Sequence, residues 1–209
     1  MAQYFTIHPE NPQPRLIRQS AEIMRAGGVI VYPTDSCYAL GCHIGDQDAE
    51  QRIRDIRQVG KDHHFTLLCR DLSEMAHYAK LDNQQFRLIK SVTPGSYTFI
   101  LQTTREVPRR LQHPKRATIG LRIPLHPVAQ ALLAELNEPI LSSTLILPGD
   151  ELPLNDPDEI RDRVEKQVAL ILDGGACGVE PTTVIDLTGD MPSVLRKGRG
   201  SLLPFGLEH

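Results

Sequence analysis

The chain predicts a single α/β domain built on a twisted mixed sheet, on three observations. Its 209 residues, 40% hydrophobic and 23% charged, can bury one sizeable core and have an ordinary globular composition. Helical and strand patterns mix along the whole length, with neither an internal repeat nor a low-complexity segment. Val29-Ile30-Val31-Tyr32 is an unbroken apolar run after Gly27-Gly28, the pattern of a strand buried on both faces.

Taken in order, residues 16–26 place Leu16, Ile17, Ala21, Ile23 and Met24 on one helical face that ends at the glycine pair. The strand 29–32 follows and must stop at Pro33, which has no N–H for a sheet ladder. Residues 48–57 carry Ala49, Ile53 and Ile56 at helical spacing, and 65–69 form a short apolar strand. Asp71-Leu72-Ser73-Glu74 has the form of a capping box opening a helix. A further helix over 84–91 is stopped by Thr93-Pro94-Gly95, and strands are expected over 97–102 and 118–122. Pro127 suits the first turn of a helix through Leu136, because its missing N–H costs nothing there. A strand over 139–143, a helix over 157–165 and strands over 168–172, 183–187 and 194–196 complete the chain. Residues 148–157 are the one long loop, of the kind that serves as a lid or binding loop.

No apolar run approaches the ~20 residues of a membrane span, and Met1-Ala2-Gln3-Tyr4-Phe5 lacks the charged and apolar regions of a signal peptide. A cytoplasmic protein with no membrane partner is expected. Cys37, Cys42, Cys69 and Cys177 show neither a paired metal spacing nor a disulfide framework, so they read as small apolar residues and no metal ligands are assigned. Leu207-Glu208-His209 reads as the start of a purification-tag linker.

The formal net charge of −3 does not announce a nucleic-acid binder, but its distribution is uneven. Arg105, Arg109, Arg110, Lys115, Arg116 and Arg122 share a stretch containing Glu106 as its single acid, and Arg196, Lys197 and Arg199 form a second basic group. Two readings stand: a solvated arginine-rich loop, or one basic face that attracts a polyanion.

Five stretches join a strand end to a small or polar turn. In Pro33-Thr34-Asp35-Ser36-Cys37-Tyr38, hydroxyls and a carboxylate sit just past the C-terminal end of a strand, where open α/β sheets bind ligands; locally an Asx or ST turn at Thr34 and Asp35 is the better account. The others are Pro94-Gly95-Ser96-Tyr97-Thr98, Gly120-Leu121-Arg122-Ile123-Pro124, Pro181-Thr182-Thr183-Val184-Ile185-Asp186 and Leu195-Arg196-Lys197-Gly198. Glycines let a ligand approach the backbone, hydroxyls bind phosphate oxygens and arginine forks match phosphate or carboxylate.

In this order, with Asp173-Gly174-Gly175 between them, these stretches resemble the YrdC-like domain of the threonylcarbamoyl-AMP synthase family over residues 14–198, giving a domain of 14–200. The resemblance implies one twisted α/β sheet with a concave basic groove. It implies synthesis of threonylcarbamoyl-AMP from threonine, bicarbonate and ATP, a step in tRNA modification, with tRNA or double-stranded RNA bound by some members. ATP with Mg²⁺ enters as a substrate, and no tightly bound cofactor is implied. By this resemblance Thr34 and Tyr38 match threonine-side residues, Thr98 a nucleotide-contacting threonine, Arg122 an arginine of the threonine and carbonate region, Thr182 the usual serine of its element, and Arg196 a phosphate- or nucleotide-contacting arginine.

The departures shape the expected function. The family's Lys-x-Arg pair falls at Gln58 and Gly60, with Lys61 out of register, and its Ser-x-Asn pair falls at Thr144 and Ile146 beside Ser143. The chain thus resembles the YciO-type branch, in which this tetrad is absent. One lost pre-organised donor removes on the order of 3 kcal/mol of transition-state stabilisation, so efficient synthase chemistry is not expected. His63 and His64 read as a solvated loop pair, though an imidazole can also contact phosphate or move a proton. The expectation is therefore a groove protein that binds RNA through Arg109, Arg110, Lys115, Arg116 and Lys197, and a nucleotide through Thr34, Tyr38, Thr98, Arg122, Ser143, Thr144, Thr182 and Arg196. The alternatives are an active synthase that uses Lys61, His63, Ser143 and Thr144 as substitutes, and an enzyme acting on another acyl or carbamoyl adenylate.

Overall fold

The computed structural model describes residues 1–207; Glu208 and His209, most of the expected tag remnant, lie outside the described residues. Ten strands form one mixed sheet: β1 (Gln3–Thr6), β2 (Ile30–Tyr32), β3 (Ala39–His43), β4 (Thr66–Leu68), β5 (Tyr97–Gln102), β6 (Thr118–Arg122), β7 (Ile140–Thr144), β8 (Leu170–Asp173), β9 (Thr183–Asp186) and β10 (Ser193–Arg196). Their order is β1-β8-β2-β3-β7-β4-β6-β5-β9-β10. β8 runs parallel to both β1 and β2, β4 to β6 and β5 to β9, whereas the remaining neighbours are antiparallel.

The unbroken apolar run is explained by cover on both faces. Ile30 and Tyr32 pack with Leu170, Leu172 and Ile140 beneath α1 (Pro14–Arg25) and α5 (Pro127–Leu136). Val29 and Val31 join the opposite core, which takes in Ile53 and Ile56 of α2 (Gln47–Arg57), Met75 of α3 (Leu72–Tyr78), Ile89 of α4 (Asn83–Val92) and Ile160 of α6 (Pro157–Val164). Alternate side chains of one strand therefore serve two separate cores.

Two strands escape the sequence patterns. β1 lies ahead of the 14–200 span and pairs with β8, closing one edge of the sheet. β3 follows β2 antiparallel, with Val31 opposite Leu40, and its Gly41 lies under the Tyr32 ring, where an added Cβ would come within 2.7 Å of a ring carbon. The caps differ from expectation as well. Asp71 accepts from the Glu74 amide at 2.9 Å, but Glu74 reaches back to the Arg70 amide rather than to that of Asp71. The full reciprocal box lies at Asp82 and Gln85, at the start of α4.

Candidate functional site

The ends of β2, β5, β6, β7 and β9 converge on a cavity of about 300 Å³. Thr34, Thr98, Arg122, Ser143, Thr144, Thr182 and Arg196 all line it, so the sheet order brings together residues from far-apart parts of the chain. Tyr38 does not. Its ring is fully buried, its hydroxyl donates to the Gly175 carbonyl at 2.5 Å and accepts from the Gly174 amide at 3.2 Å. This tyrosine pins the Asp173–Gly175 segment over the β2–β3 turn instead of facing a ligand.

The turn after β2 is held by its own hydrogen bonds and lines the cavity. Thr34 Oγ1 accepts from the Ser36 and Cys37 amides at 3.2 Å each and donates to the Cys37 carbonyl at 2.6 Å, an ST turn on the cavity wall. Asp35 turns away to form a buried ion pair with Arg122 Nη2, and its other oxygen accepts from Ser96 at 2.8 Å. Arg122 Nη1 donates to Ser36 Oγ at 3.0 Å, which leaves Nε as a buried donor with no partner among the described residues. An unmet buried donor costs on the order of 1–3 kcal/mol, which a ligand oxygen would recover. Across the cavity, Arg196 donates to the Thr182 carbonyl at 3.0 Å and to its hydroxyl at 3.1 Å, while Thr182 and Thr98 hydroxyls sit 2.8 Å apart. Burial lowers the pKa of the Arg196 guanidinium.

The register through Gln58 and Gly60 leads out of the cavity: both residues are exposed, and Gln58 ends α2 in the left-handed conformation at φ 52°. One residue earlier, Arg57 enters. Its Nη1 donates to Ser143 Oγ at 2.6 Å and its Nε to the Ile146 carbonyl at 3.2 Å, with no carboxylate partner among the described residues. Burial lowers its pKa. His63 is likewise no solvated loop residue. Its Nε2 lies 3.1 Å from Ser143 Oγ and 3.2 Å from Arg57 Nη1. Burial, reinforced by the charges of Arg57 and Arg54, holds its imidazole down to about 4. Arg54 fixes this loop from below. Its Nη1 donates to the carbonyls of Gly60 at 2.6 Å and His63 at 3.1 Å, and its guanidinium lies over the Phe65 ring. Arg57 stands at a helix end and His63 in an irregular loop, so neither carries a periodic signal. The signal that could have found Arg57 is an arginine one position ahead of the expected lysine.

A second cavity of about 570 Å³ adjoins the first and shares His63, His64 and Phe65 with it. Lys61, Arg109, Arg110 and Lys115 line it, with Asp62 as the acid among them. Arg110 is committed to Glu50 at 3.1 Å. Lys61, Arg109 and Lys115 have no carboxylate partner among the described residues. His64 stacks on His113 with ring centroids 5.3 Å apart. Arg116 lies outside both linings, 3.9 Å from Asp186, and so does the exposed Lys197 beside Arg196.

The fold, with its cavity at the strand ends, is that of the Sua5/YciO/YrdC family, whose model, described as "Telomere recombination", matches residues 22–198; the chain belongs to this family. Within it, the chain is 61% identical over 205 residues to the uncharacterized protein YciO of Escherichia coli K12, covering 98% of this chain and all of that one. The crystal structure of E. coli YciO superposes with a TM-score of 0.94 over the same shares. P. abyssi Sua5, solved in complex with L-threonine, is 26% identical with a TM-score of 0.86, covering 93% of this chain and 57% of that one. No helix among the described residues is long and apolar enough to cross a membrane.

Proposed function

We propose that this chain is a cytoplasmic RNA-binding protein whose arginine-lined cavity receives a phosphate-bearing group of a nucleotide or of the RNA, with weak or absent threonylcarbamoyl-AMP synthase activity. One observation carries the reading: a cavity holding Arg57, Arg122 and Arg196, of which among the described residues Arg122 alone has a carboxylate partner, adjoins a second cavity lined by Lys61, Arg109 and Lys115. Uncompensated cations in half-buried concavities favour phosphate. The relative solved with L-threonine supports a small polar ligand in the same fold. ATP with its Mg²⁺ is the nucleotide offered as a substrate here, not a resident group.

The test has two arms. Fluorescence anisotropy with tRNA and with duplex RNA is expected to show binding whose log affinity falls linearly with the logarithm of salt. No binding at the lowest salt overturns the RNA reading. Pyrophosphate release from ATP with threonine and bicarbonate is expected to stay at or near the enzyme-free background. A rate far above it overturns the weak-synthase reading and favours an active synthase in which Arg57, His63, Ser143 and Thr144 stand in for the missing groups. Arg57 and His63 in the cavity are the observations on that side.

A further inference from the structure

We propose that Ser143 is a nucleophile, served by His63 as its base, that opens acyl phosphate anhydrides bound in the cavity. The inference rests on the reading above that the cavity receives a phosphate-bearing group, and adds a covalent step that the reading does not contain.

The donor inventory fixes the arrangement. A guanidinium only donates, so Arg57 Nη1 donates to both Ser143 Oγ, at 2.6 Å, and His63 Nε2, at 3.2 Å. His63 Nε2 is therefore the unprotonated nitrogen. Its one lone pair lies between two donors, Arg57 Nη1 and the Ser143 hydroxyl 3.1 Å away, and the Ser143 hydroxyl, already accepting from Arg57, has that lone pair as the acceptor for its own proton. A serine O–H aimed at a neutral imidazole, with the imidazole held in place, is the geometry of an activated nucleophile. The holding groups are Phe65, edge-on at 5.5 Å between centroids, and Arg54 through the His63 carbonyl. Ser143 is 5% exposed and faces the cavity. The charged or titratable groups facing His63 are Arg57, Arg54, His64 and Asp62, and burial with the two guanidiniums keeps the ring neutral across the physiological range.

The same features select the substrate. His63 is a weak base, and Arg57 supports the developing alkoxide, so the pair suits a carbonyl with a good leaving group more than an amide. A phosphate leaving group meets the cavity's arginines. Ser143 Oγ attacks the acyl carbon, its proton passes to His63 Nε2, and the bond between acyl carbon and bridging oxygen breaks with the phosphate leaving as an anion. The product is an acyl-Ser143 ester, and the imidazolium returns its proton to solvent. Water then attacks the ester carbonyl, giving its proton to His63, which hands one to Ser143 Oγ as the ester opens. The sum is anhydride plus water giving carboxylate, phosphate and two protons.

The full chain is treated with a biotinylated fluorophosphonate and the adduct mapped by peptide mass spectrometry, with acetyl adenylate hydrolysis followed in parallel. One phosphonyl group is expected on Ser143, abolished in Ser143→Ala, slowed about 100-fold in His63→Gln and blocked by excess AMP. Acetyl adenylate is expected to be hydrolysed faster than in buffer by the wild type alone. Circular dichroism establishes that both variants fold. No adduct on Ser143 of the wild-type protein, or unchanged labelling in folded His63→Gln, overturns the inference. Calorimetric binding of AMP separates the two readings: binding without an adduct leaves the phosphate cavity standing and removes the nucleophile. An adduct without AMP binding or protection keeps the nucleophile and removes the phosphate cavity.

Discussion

Two residues show how much of the site's architecture is electrostatic. Asp35 and Arg122 form a pair with side chains 12% and 6% exposed, and Asp35 leaves the cavity to make it. Breaking one side of such a pair strands a buried charge. Asp35→Ala is therefore expected to lose about 3–5 kcal/mol of stability in urea unfolding, far more than an exposed pair would cost. His63 gives the complementary case. Its imidazole is held at about 4 in the fold against 6.5 ordinarily, so between those values the unfolded chain binds a proton that the folded chain refuses. Stability from this group is complete above pH 6.5 and is lost as pH falls towards 4. Comparing urea midpoints of wild type and His63→Gln at pH 7, 6, 5 and 4.5 should show the wild type losing ground to the variant as pH falls. A difference that stays constant over that range contradicts the burial argument.

At the scale of elements, the legible parts were those whose pattern is local. The helices over α1, α2 and α5 and the strands β5 and β6 follow directly from periodicity, glycine and proline. β1 and β3 were not legible, because a four-residue strand at an edge and a strand interrupted by Gly41 carry too few residues to show a period. β1 pairs with β8 far along the chain, and β3, besides its neighbour β2, pairs with β7 about a hundred residues away. The site divides the same way: Thr98, Arg122 and Thr182 sit in or beside strands and line the cavity, whereas Arg57 depends on how α2 ends. That helix stops with Gln58 in the left-handed conformation, which turns the chain so that Arg57 points inward and Gln58 out. Restoring the lysine and arginine by Gln58→Lys with Gly60→Arg should therefore place both new cations in solvent. Threonine-dependent pyrophosphate release is expected to stay at the wild-type level, and a tenfold rise would show that the 58–60 turn refolds to face the cavity.

The whole molecule carries more acid than base, so any attraction for a polyanion must come from distribution. The sheet supplies that distribution. Because β6 lies between β4 and β5, the loop carrying Arg109 and Lys115 is folded back beside the loop carrying Lys61 and His64, although about fifty residues separate them. Arg110 shares the single carboxylate of Glu50 with Arg54, and Arg116 lies towards Asp186, so among the described residues the cations of this surface with no carboxylate partner are Lys61, Arg109 and Lys115. Each phosphate neutralised adds roughly 0.7 to 0.9 to the slope of log affinity against log salt. Replacing Lys61, Arg109 and Lys115 with glutamine should lower that slope by about 2 to 3 and weaken tRNA and duplex RNA alike, since phosphate contacts carry no sequence. The matched control, Arg116→Gln with Asp186→Asn, removes one arginine and its carboxylate partner beside Lys115 without changing the net charge. Its slope should stay within about 0.5 of wild type. An equal loss in both variants would mean that the RNA follows the shape of this groove rather than its charge.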